Sequence, residues 1–271
     1  MIDIDKSRFR VKPGGKIRLS DYDPADTSLM PDRAKADVKT QKDLLKLQDL
    51  QDRFYAEHQR ALLIVLQGMD TSGKDGTIKH VMRGLNPQGC TVVSFKVPVG
   101  EELDHHFLWR VERAMPGHGH IGVFNRSQYE DVLAGRVHQL VPKKVWKKRY
   151  DQINRFEQLE SELDTVILKF FLHISKDEQK KRLEERLKSP SKNWKFSPLD
   201  VKERELWDDY QDAYEDVLNK CSTKSAPWYV VPADHKWFRN WMVATIVVEK
   251  LKSLSPKYPR PKADLSKIRI E

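Results

Sequence analysis

The stretch ALLIVLQGMDTSGKDGT, residues 61–77, decides the fold. Its first seven residues carry no charge and include the β-branched pair Ile64 and Val65. A continuous apolar run of this length, stopped by a glycine, is the pattern of a strand covered on both faces. Directly after it comes Gly-x4-Gly-Lys, with Gly68, Gly73 and Lys74 in the fixed places and Gly76 just beyond. Glycines let backbone N–H groups curl around a phosphate, and the N-terminus of the next helix adds partial positive charge. Lys74 then reaches the terminal phosphates as a point charge. A tight strand-to-helix turn with a chance lysine is the plainer alternative. The strand before the motif and the helix after it favour a phosphate loop.

Outward from this stretch the same pattern recurs. CTVVSFKV (90–97), HIGVFN (120–125), TVILKFFLHI (165–174) and WYVVPA (228–233) are similar runs. Between them lie helical stretches at 74–84, 102–114, 143–163, 176–188, 199–220 and 236–253. Upstream, Pro31 opens another, with Leu44, Leu45, Leu47, Leu50 and Phe54 at helical spacing. Strand and helix alternating in this way predict an α/β fold, a parallel sheet with helices on both faces. Functional residues then belong at the carboxyl ends of the strands.

Residues 1–30 contain Pro13, Gly14, Gly15 and Pro24 and read as an N-terminal arm lying on the body. Residues 188–198, KSPSKNWKFSP, interrupt two helical stretches with prolines and serines. The segment 255–264, SPKYPRPKAD, is proline-rich and basic and opens a C-terminal tail, 255–271. No internal repeat or clean linker divides the chain. It reads as a single domain, 1–271, with a lid insertion at 176–200.

The chain has 271 residues, with 49 Lys and Arg against 40 Asp and Glu, a formal charge of +9. A basic surplus points to an anionic partner, whether nucleic acid, a membrane surface or a phosphate-rich substrate, or is simply a solvated surface that happens to be basic. At 9% aromatic residues the chain is a folded protein rather than a disordered polycation. Its two cysteines, Cys90 and Cys221, exclude a disulfide framework and a cysteine-based zinc module, and suit a reducing compartment. The opening MIDIDKSRFRVKPGG has no apolar core of a secretory signal, so a cytoplasmic protein is expected. The longest apolar runs, 61–66 and 165–174, fall short of the roughly 20 residues a membrane helix needs.

Two departures from the usual phosphate-loop pattern bear on magnesium. The Ser or Thr that normally follows the lysine is replaced by Asp75, so the ion must be held differently. Asp70, inside the loop, is a hard oxygen ligand in a suitable place, or else an Asx turn beside Thr71. The strand 120–125 normally ends in an aspartate, and here it ends in Asn125. Arg126 comes next and can grip phosphate oxygens. Glu130 and Asp131 can supply the missing carboxylate, or simply cap the next helix.

Residues 176–195 hold eight Lys and Arg, among them Arg182, Arg186, Lys192 and Lys195, with Trp194 in the same turn. Arg182 and Arg186 are four apart and share a helix face. A basic segment after the fourth strand suits a lid that closes on phosphates and excludes water. The basic run KKVWKKRY (143–150) is a second, weaker cluster. His118-x-His120 and His105-His106 lack a third ligand and are set aside. No Gly-x-Ser-x-Gly elbow is present. Trp207, Trp237 and Trp241 fall at helical spacing and read as core.

Three blocks together, GMDTSGKDG (68–76), FNRSQYEDVL (124–133) and EQKKRLEERLKSPSKNWKFSPLD (178–200), resemble the polyphosphate kinase 2 family over about residues 31–255. The resemblance implies a three-layer P-loop kinase fold, thymidylate-kinase-like, with a mainly parallel five-stranded sheet and a helical lid. It implies phosphoryl transfer between inorganic polyphosphate and a nucleotide, dependent on magnesium, with manganese as a substitute. By position, Lys74 and Arg126 would grip the transferring group, and Asp70 and Asp131 would hold metal. Arg182 and Arg186 would reach over the phosphates from the lid. Gly68, Thr71, Gly73, Asp75, Gly76, Asn125, Glu130, Lys192 and Lys195 would complete the binding site. Many family members read Phe-Asp-Arg-Ser where this chain has Phe-Asn-Arg-Ser. The latter resembles the branch that accepts AMP as well as ADP, with ATP as a product. A homo-oligomer paired through helices is expected, with neither membrane nor nucleic acid as partner. The rival readings are an ATP-dependent nucleotide kinase and a nucleic-acid-stimulated P-loop ATPase.

Overall fold

Residues Ala61–Gln67 form strand β1, and every one of the seven is buried. The strand lies at the middle of the sheet, where side chains on both faces meet helices, which is why its sequence does not alternate. The computed structural model describes residues 7–270; residues 1–6 of the expected arm and Glu271 of the tail lie outside the described residues. After β1 come β2 (Cys90–Ser94), β3 (Ile121–Asn125), β4 (Thr165–His173) and β5 (Trp228–Pro232). All neighbours run parallel, in the order β2-β3-β1-β4-β5. The order reverses at β1, so the crevice at its carboxyl end opens between β3 and β4. There Leu66 pairs with Asn125, and Gln67 with Phe171.

The helices in chain order are α1 (Arg33–Glu57), α2 (Lys74–Val81), α3 (Trp109–Glu112), α4 (Ala134–Val137) and α5 (Lys143–Glu162). They continue with α6 (Lys176–Lys188), α7 (Pro190–Asn193), α8 (Pro198–Glu205), α9 (Trp207–Cys221) and α10 (Lys236–Leu254). Helix α1 starts where the Asp32 carboxylate accepts from Lys35 N, and stops at His58 in the left-handed conformation. Its buried face is Leu44, Leu47, Leu50 and Phe54, laid along α10. Leu45 is exposed instead, because it sits about 100° round the helix from Leu44. Helices α1, α2 and α10 cover one face of the sheet, and α5 and α9 the other, giving three layers.

Four expectations are corrected. Strand β2 is not buried on both faces: it is the edge strand, with Thr91, Val92 and Ser94 exposed. The stretch 102–114 is not one helix but a 3-10 turn, Gly100–Leu103, followed by the short α3. Glu102 accepts from Val99 N and caps the 3-10 turn, and Arg110 donates to Lys96 O at 2.7 Å, tying α3 back to the chain after β2. The stretch 199–220 breaks at Leu206 into α8 and α9. The break lets α9 bury Trp207, Tyr210 and Tyr214 while Arg204 of α8 reaches back to Lys176 O and Gln179. Within 188–198, residues Pro190–Asn193 form a turn of helix.

The residues after position 7 run along β5 and α9. Val11 N donates to Trp228 O, and the Asn219 amide clasps both backbone groups of Ile17. Beneath the sheet, Lys169 of β4 is fully buried and donates to Glu157 of α5 at 2.5 Å. Tyr129 Oη donates to the same carboxylate at 2.8 Å, as does Gln128 at 3.0 Å. This network fixes the turn after β3 from below. Burial pushes the Glu157 carboxyl up, and Lys169 opposes that shift. Trp207 and Trp241 are buried as expected, and Trp237 packs on the core.

Candidate phosphate-binding site

The loop from Gly68 to Gly73 joins β1 to α2, and its shape requires glycine at both ends. Gly68 has φ 152°, and a Cβ there would sit 2.8 Å from Leu172 O. Gly73 caps α2 with φ 104°, and a Cβ there would overlap the Arg239 guanidinium. Thr71 is left-handed at φ 64° without being glycine, and Arg126 likewise at φ 62°. Such backbone is held only where the surroundings over-determine it. For Arg126 the restraint is a hydrogen bond from its N to Leu66 O at 3.0 Å.

Lys74 is buried and folds back on its own loop, donating to Gly68 O at 2.6 Å and Met69 O at 3.3 Å. Burial, reinforced by the neighbouring Arg126, pulls its amine down to about 8, while Asp70, Glu130 and Asp75 resist. Arg126 Nη2 donates to Asp70 Oδ1 at 2.7 Å, and Nη1 lies 3.6 Å from Glu130 Oε2. Glu130 and then Asp70 raise the Arg126 guanidinium further, so it stays charged throughout. Burial alone would raise the Asp70 carboxyl, but Lys74, Arg126 and Arg186 outweigh it and hold it below the ordinary value. The site is therefore ionised at neutral pH: cations at Lys74 and Arg126, an anion at Asp70.

Asp75 is engaged by two neighbours. Its carboxylate accepts from Asn125 Nδ2 at 2.9 Å and from Lys195 Nζ at 3.0 Å, which ties α2 to the end of β3 and to residue 195. Arg186 pairs with Asp200 at 3.2 Å, close enough to Asp70 to lower its carboxyl. Lys192 is turned away, 3.1 Å from Glu185.

Two placements differ from expectation. Arg182 does not reach over the loop. It is 5% exposed, pairs with Glu178, and donates to the carbonyls of Thr71, Ser72, Ala233 and Asp234. Five donors in a rigid fork suit that task, binding the back of the loop to the end of β5. Asp131 is not gathered with Asp70. Its carboxylate accepts from Arg149 at 2.9 Å, and burial raises it against the pull of Arg149.

Arg239, Gln179 and the Tyr129–Glu157–Lys169 network are site supports that motif reading missed. Gln179 donates to Asp70 O at 3.2 Å. Lys169 did interrupt an apolar run, and Arg239-Asn240 interrupts the apolar sequence of α10; each break was a signal of a buried partner.

No cluster of three or more His, Cys, Asp or Glu suited to a metal occurs among the described residues. The carboxylates of Asp70 and Glu130, on either side of Arg126, are the donors at hand. Hard oxygen ligands in that number fit magnesium, which is commonly held by one or two carboxylates together with substrate phosphates.

Residues 30–259 match the model of the family described as polyphosphate kinase 2. A Meiothermus ruber protein named AMP/ADP-polyphosphate phosphotransferase is 49% identical over 97% of this chain and 99% of its own. A Rhodopseudomonas palustris protein named ADP-polyphosphate phosphotransferase is 44% identical over 94% of this chain and 93% of its own. The crystal structure of polyphosphate kinase 2 from Arthrobacter aurescens TC1 superposes with a TM-score of 0.92 at 42% identity, covering 96% of this chain and 93% of that one.

Proposed function

The chain belongs to the polyphosphate kinase 2 family, and from that premise we propose that it moves a terminal phosphoryl group from inorganic polyphosphate to ADP and to AMP, reversibly. The observation that carries this reading is the meeting of Lys74, Arg126 and Asp70 at the carboxyl ends of β1 and β3. Two cations and a carboxylate at one phosphate loop suit a reaction that needs charge neutralised and atoms aligned, with little covalent work by the protein.

The polymer's end phosphate lies in the loop, under the backbone N–H groups of residues 69–74. The nucleotide's terminal phosphate oxygen attacks that phosphorus in line. A new P–O bond forms to the nucleotide as the bridging P–O bond to the shortened polymer breaks. Lys74 leaves its loop carbonyls for the phosphate oxygens, and Arg126 holds the transferring group. The attacking oxygen is already ionised, so no strong base and no phosphoprotein intermediate are needed. Asp70 and Glu130 would hold magnesium, or manganese in its place, which would screen the phosphate charge. The other site residues support the loop: Gly68, Thr71, Gly73 and Gly76 by shape, Asp75 and Asn125 by tying it to Lys195.

Residues 176–200 work as a lid on a single domain. Arg186, Lys192 and Lys195 exchange their carboxylate partners for polymer phosphates as it closes. Arg182 and Asp131 support the site without touching the substrate. Among the described residues no helix is long and apolar enough to cross a membrane. We place the protein in the cytoplasm, as a homo-oligomer. The test supplies polyphosphate with ADP or AMP and no ATP, and follows the products by mass. ATP from ADP supports the reading. Transfer only when ATP is the donor would establish an ordinary nucleotide kinase instead.

A further inference from the structure

Helix α10 is apolar through most of its length, and Arg239-Asn240 breaks the pattern. The Arg239 side chain is 3% exposed. Its Nη1 donates to Ser72 O at 2.9 Å, in the middle of the phosphate loop. Nε and Nη2 both donate to Asn240 Oδ1, at 3.2 and 3.0 Å. The guanidinium lies where a side chain on loop residue Gly73 would be, and close beside Gly76 in the first turn of α2. A Cβ on Gly73 would overlap it, and one on Gly76 would stand 3.3 Å from Nη2. The glycines thus admit a cation from behind the loop as well as leaving its front open.

Other buried cations have carboxylates acting on them: Lys169 pairs with Glu157, Arg182 pairs with Glu178, and Lys74 lies in the field of Asp70, Glu130 and Asp75. No carboxylate among the described residues pairs with Arg239, and the charge that acts on it is a second cation, Arg182. Burial first and Arg182 second pull its guanidinium down to about 9, which leaves it charged at neutral pH. A buried unpaired cation is costly, and such a charge is normally matched by an anion. The anion the loop accommodates is a phosphate.

We propose that Arg239 is a positioning residue of the phosphate loop, a fixed positive charge behind Ser72 and Gly73 whose counter-ion is the bound phosphate chain. It touches the loop and not the substrate. The inference rests on residues 68–76 being the phosphate site. Arg182 Nη1 also donates to Ser72 O, at 3.3 Å, but that guanidinium is matched by Glu178, whereas Arg239 brings a charge that no carboxylate among the described residues pairs with. Removing the charge should therefore weaken phosphate binding more than it disturbs the fold.

The experiment is a calorimetric titration of wild type, Arg239→Met, Arg239→Lys and Lys74→Ala with tripolyphosphate, alongside thermal melts without ligand. Arg239→Met is expected to melt no lower than wild type and to bind about tenfold more weakly, as loss of one poorly screened charge implies. Arg239→Lys should regain most of that affinity. A second readout is the His80 imidazole, held low by burial and then by Arg239; by NMR it should titrate at higher pH in Arg239→Met. Wild-type affinity in folded Arg239→Met, with Lys74→Ala impaired, overturns this inference and leaves the phosphate site standing. A loss shared equally by Arg239→Lys, with a lowered melting point, also overturns it. If wild type binds no tripolyphosphate, the phosphate-loop reading falls and takes this inference with it. Should Arg239→Met not fold, Arg239→Gln keeps a donor to Ser72 without the charge and is read the same way.

Discussion

Arg126 and Asp70 stand 56 residues apart in the chain and meet at 2.7 Å, one at the end of β3 and the other inside the loop after β1. Each is the other's support. Asp70 keeps the guanidinium aimed at the loop, and Arg126 helps keep the carboxylate ionised beside a buried lysine. Arg126→Ala and Asp70→Asn are each expected to lower kcat by about 10²–10³-fold, the scale of removing one charge-stabilising group from a transition state. Thermal melts should move little, because both side chains keep partial solvent contact. Steady-state rates with ADP and polyphosphate check the pair. Near-wild-type turnover in either variant would remove it from the chemistry.

Lys74 makes tripolyphosphate affinity depend on pH. Its amine is pulled down to about 8 in the free protein, so it is charged below that pH and neutral above. Phosphate binding favours the charged form, and the dissociation constant should rise up to about tenfold per pH unit above about 8. Stability moves the other way. The folded value lies below the unfolded ~10.4, so between the two the unfolded chain binds more protons and folding gains with rising pH. Weaker binding in that window is therefore not unfolding. Titrations from about pH 7 to about pH 9.5, which cross the lower edge of that window, test this, and Lys74→Met should abolish the slope.

Arg182 and Arg186 lie one helical turn apart and are expected to fail differently. Arg186 reaches Asp200 and the field of Asp70 from the rim, so Arg186→Ala should raise KM for polyphosphate about tenfold and leave KM for ADP nearly unchanged. Arg182 holds four backbone carbonyls, two of them in the loop, so Arg182→Ala should lower kcat with every substrate and reduce stability by about 2–4 kcal/mol. Parallel kinetics and denaturant melts distinguish them. Identical profiles for the two variants would contradict their separate placement.

The buried Lys169–Glu157 pair predicts a rescue. Lys169→Met leaves the Glu157 carboxylate without its cation inside the core, at a cost of about 3–5 kcal/mol. Adding Glu157→Gln to Lys169→Met should recover most of that loss, since the amide can still accept from Tyr129. Denaturant unfolding at constant m-value measures both. A double variant as unstable as the single one would show that packing, not charge, sets the penalty.

The five strands and the phosphate loop were legible because each depends on local pattern: apolar runs bounded by glycine, then Gly-x4-Gly-Lys. The helix boundaries at 102–114 and 199–220 were not, because they go with contacts to other segments, such as Arg110 to Lys96 O and Arg204 to Lys176 O, that come from tertiary placement. Likewise Arg182 and Arg186 share a helix face, and spacing does not tell which of them points into the body. Asp131 met the same limit: its partner Arg149 lies on another helix. Arg239 carries no motif at all, since its meaning comes from two glycines more than 160 residues earlier.

That distance has a consequence for synthesis. The ribosome makes residues 68–76 well before the helix that backs them, Lys236–Leu254. Until α10 docks, Ser72 lacks one donor and Gly73 faces a gap, so a nascent or prematurely terminated chain carries the whole phosphate motif without a finished cradle. The cradle is complete only once α10 has been made and has docked behind the loop.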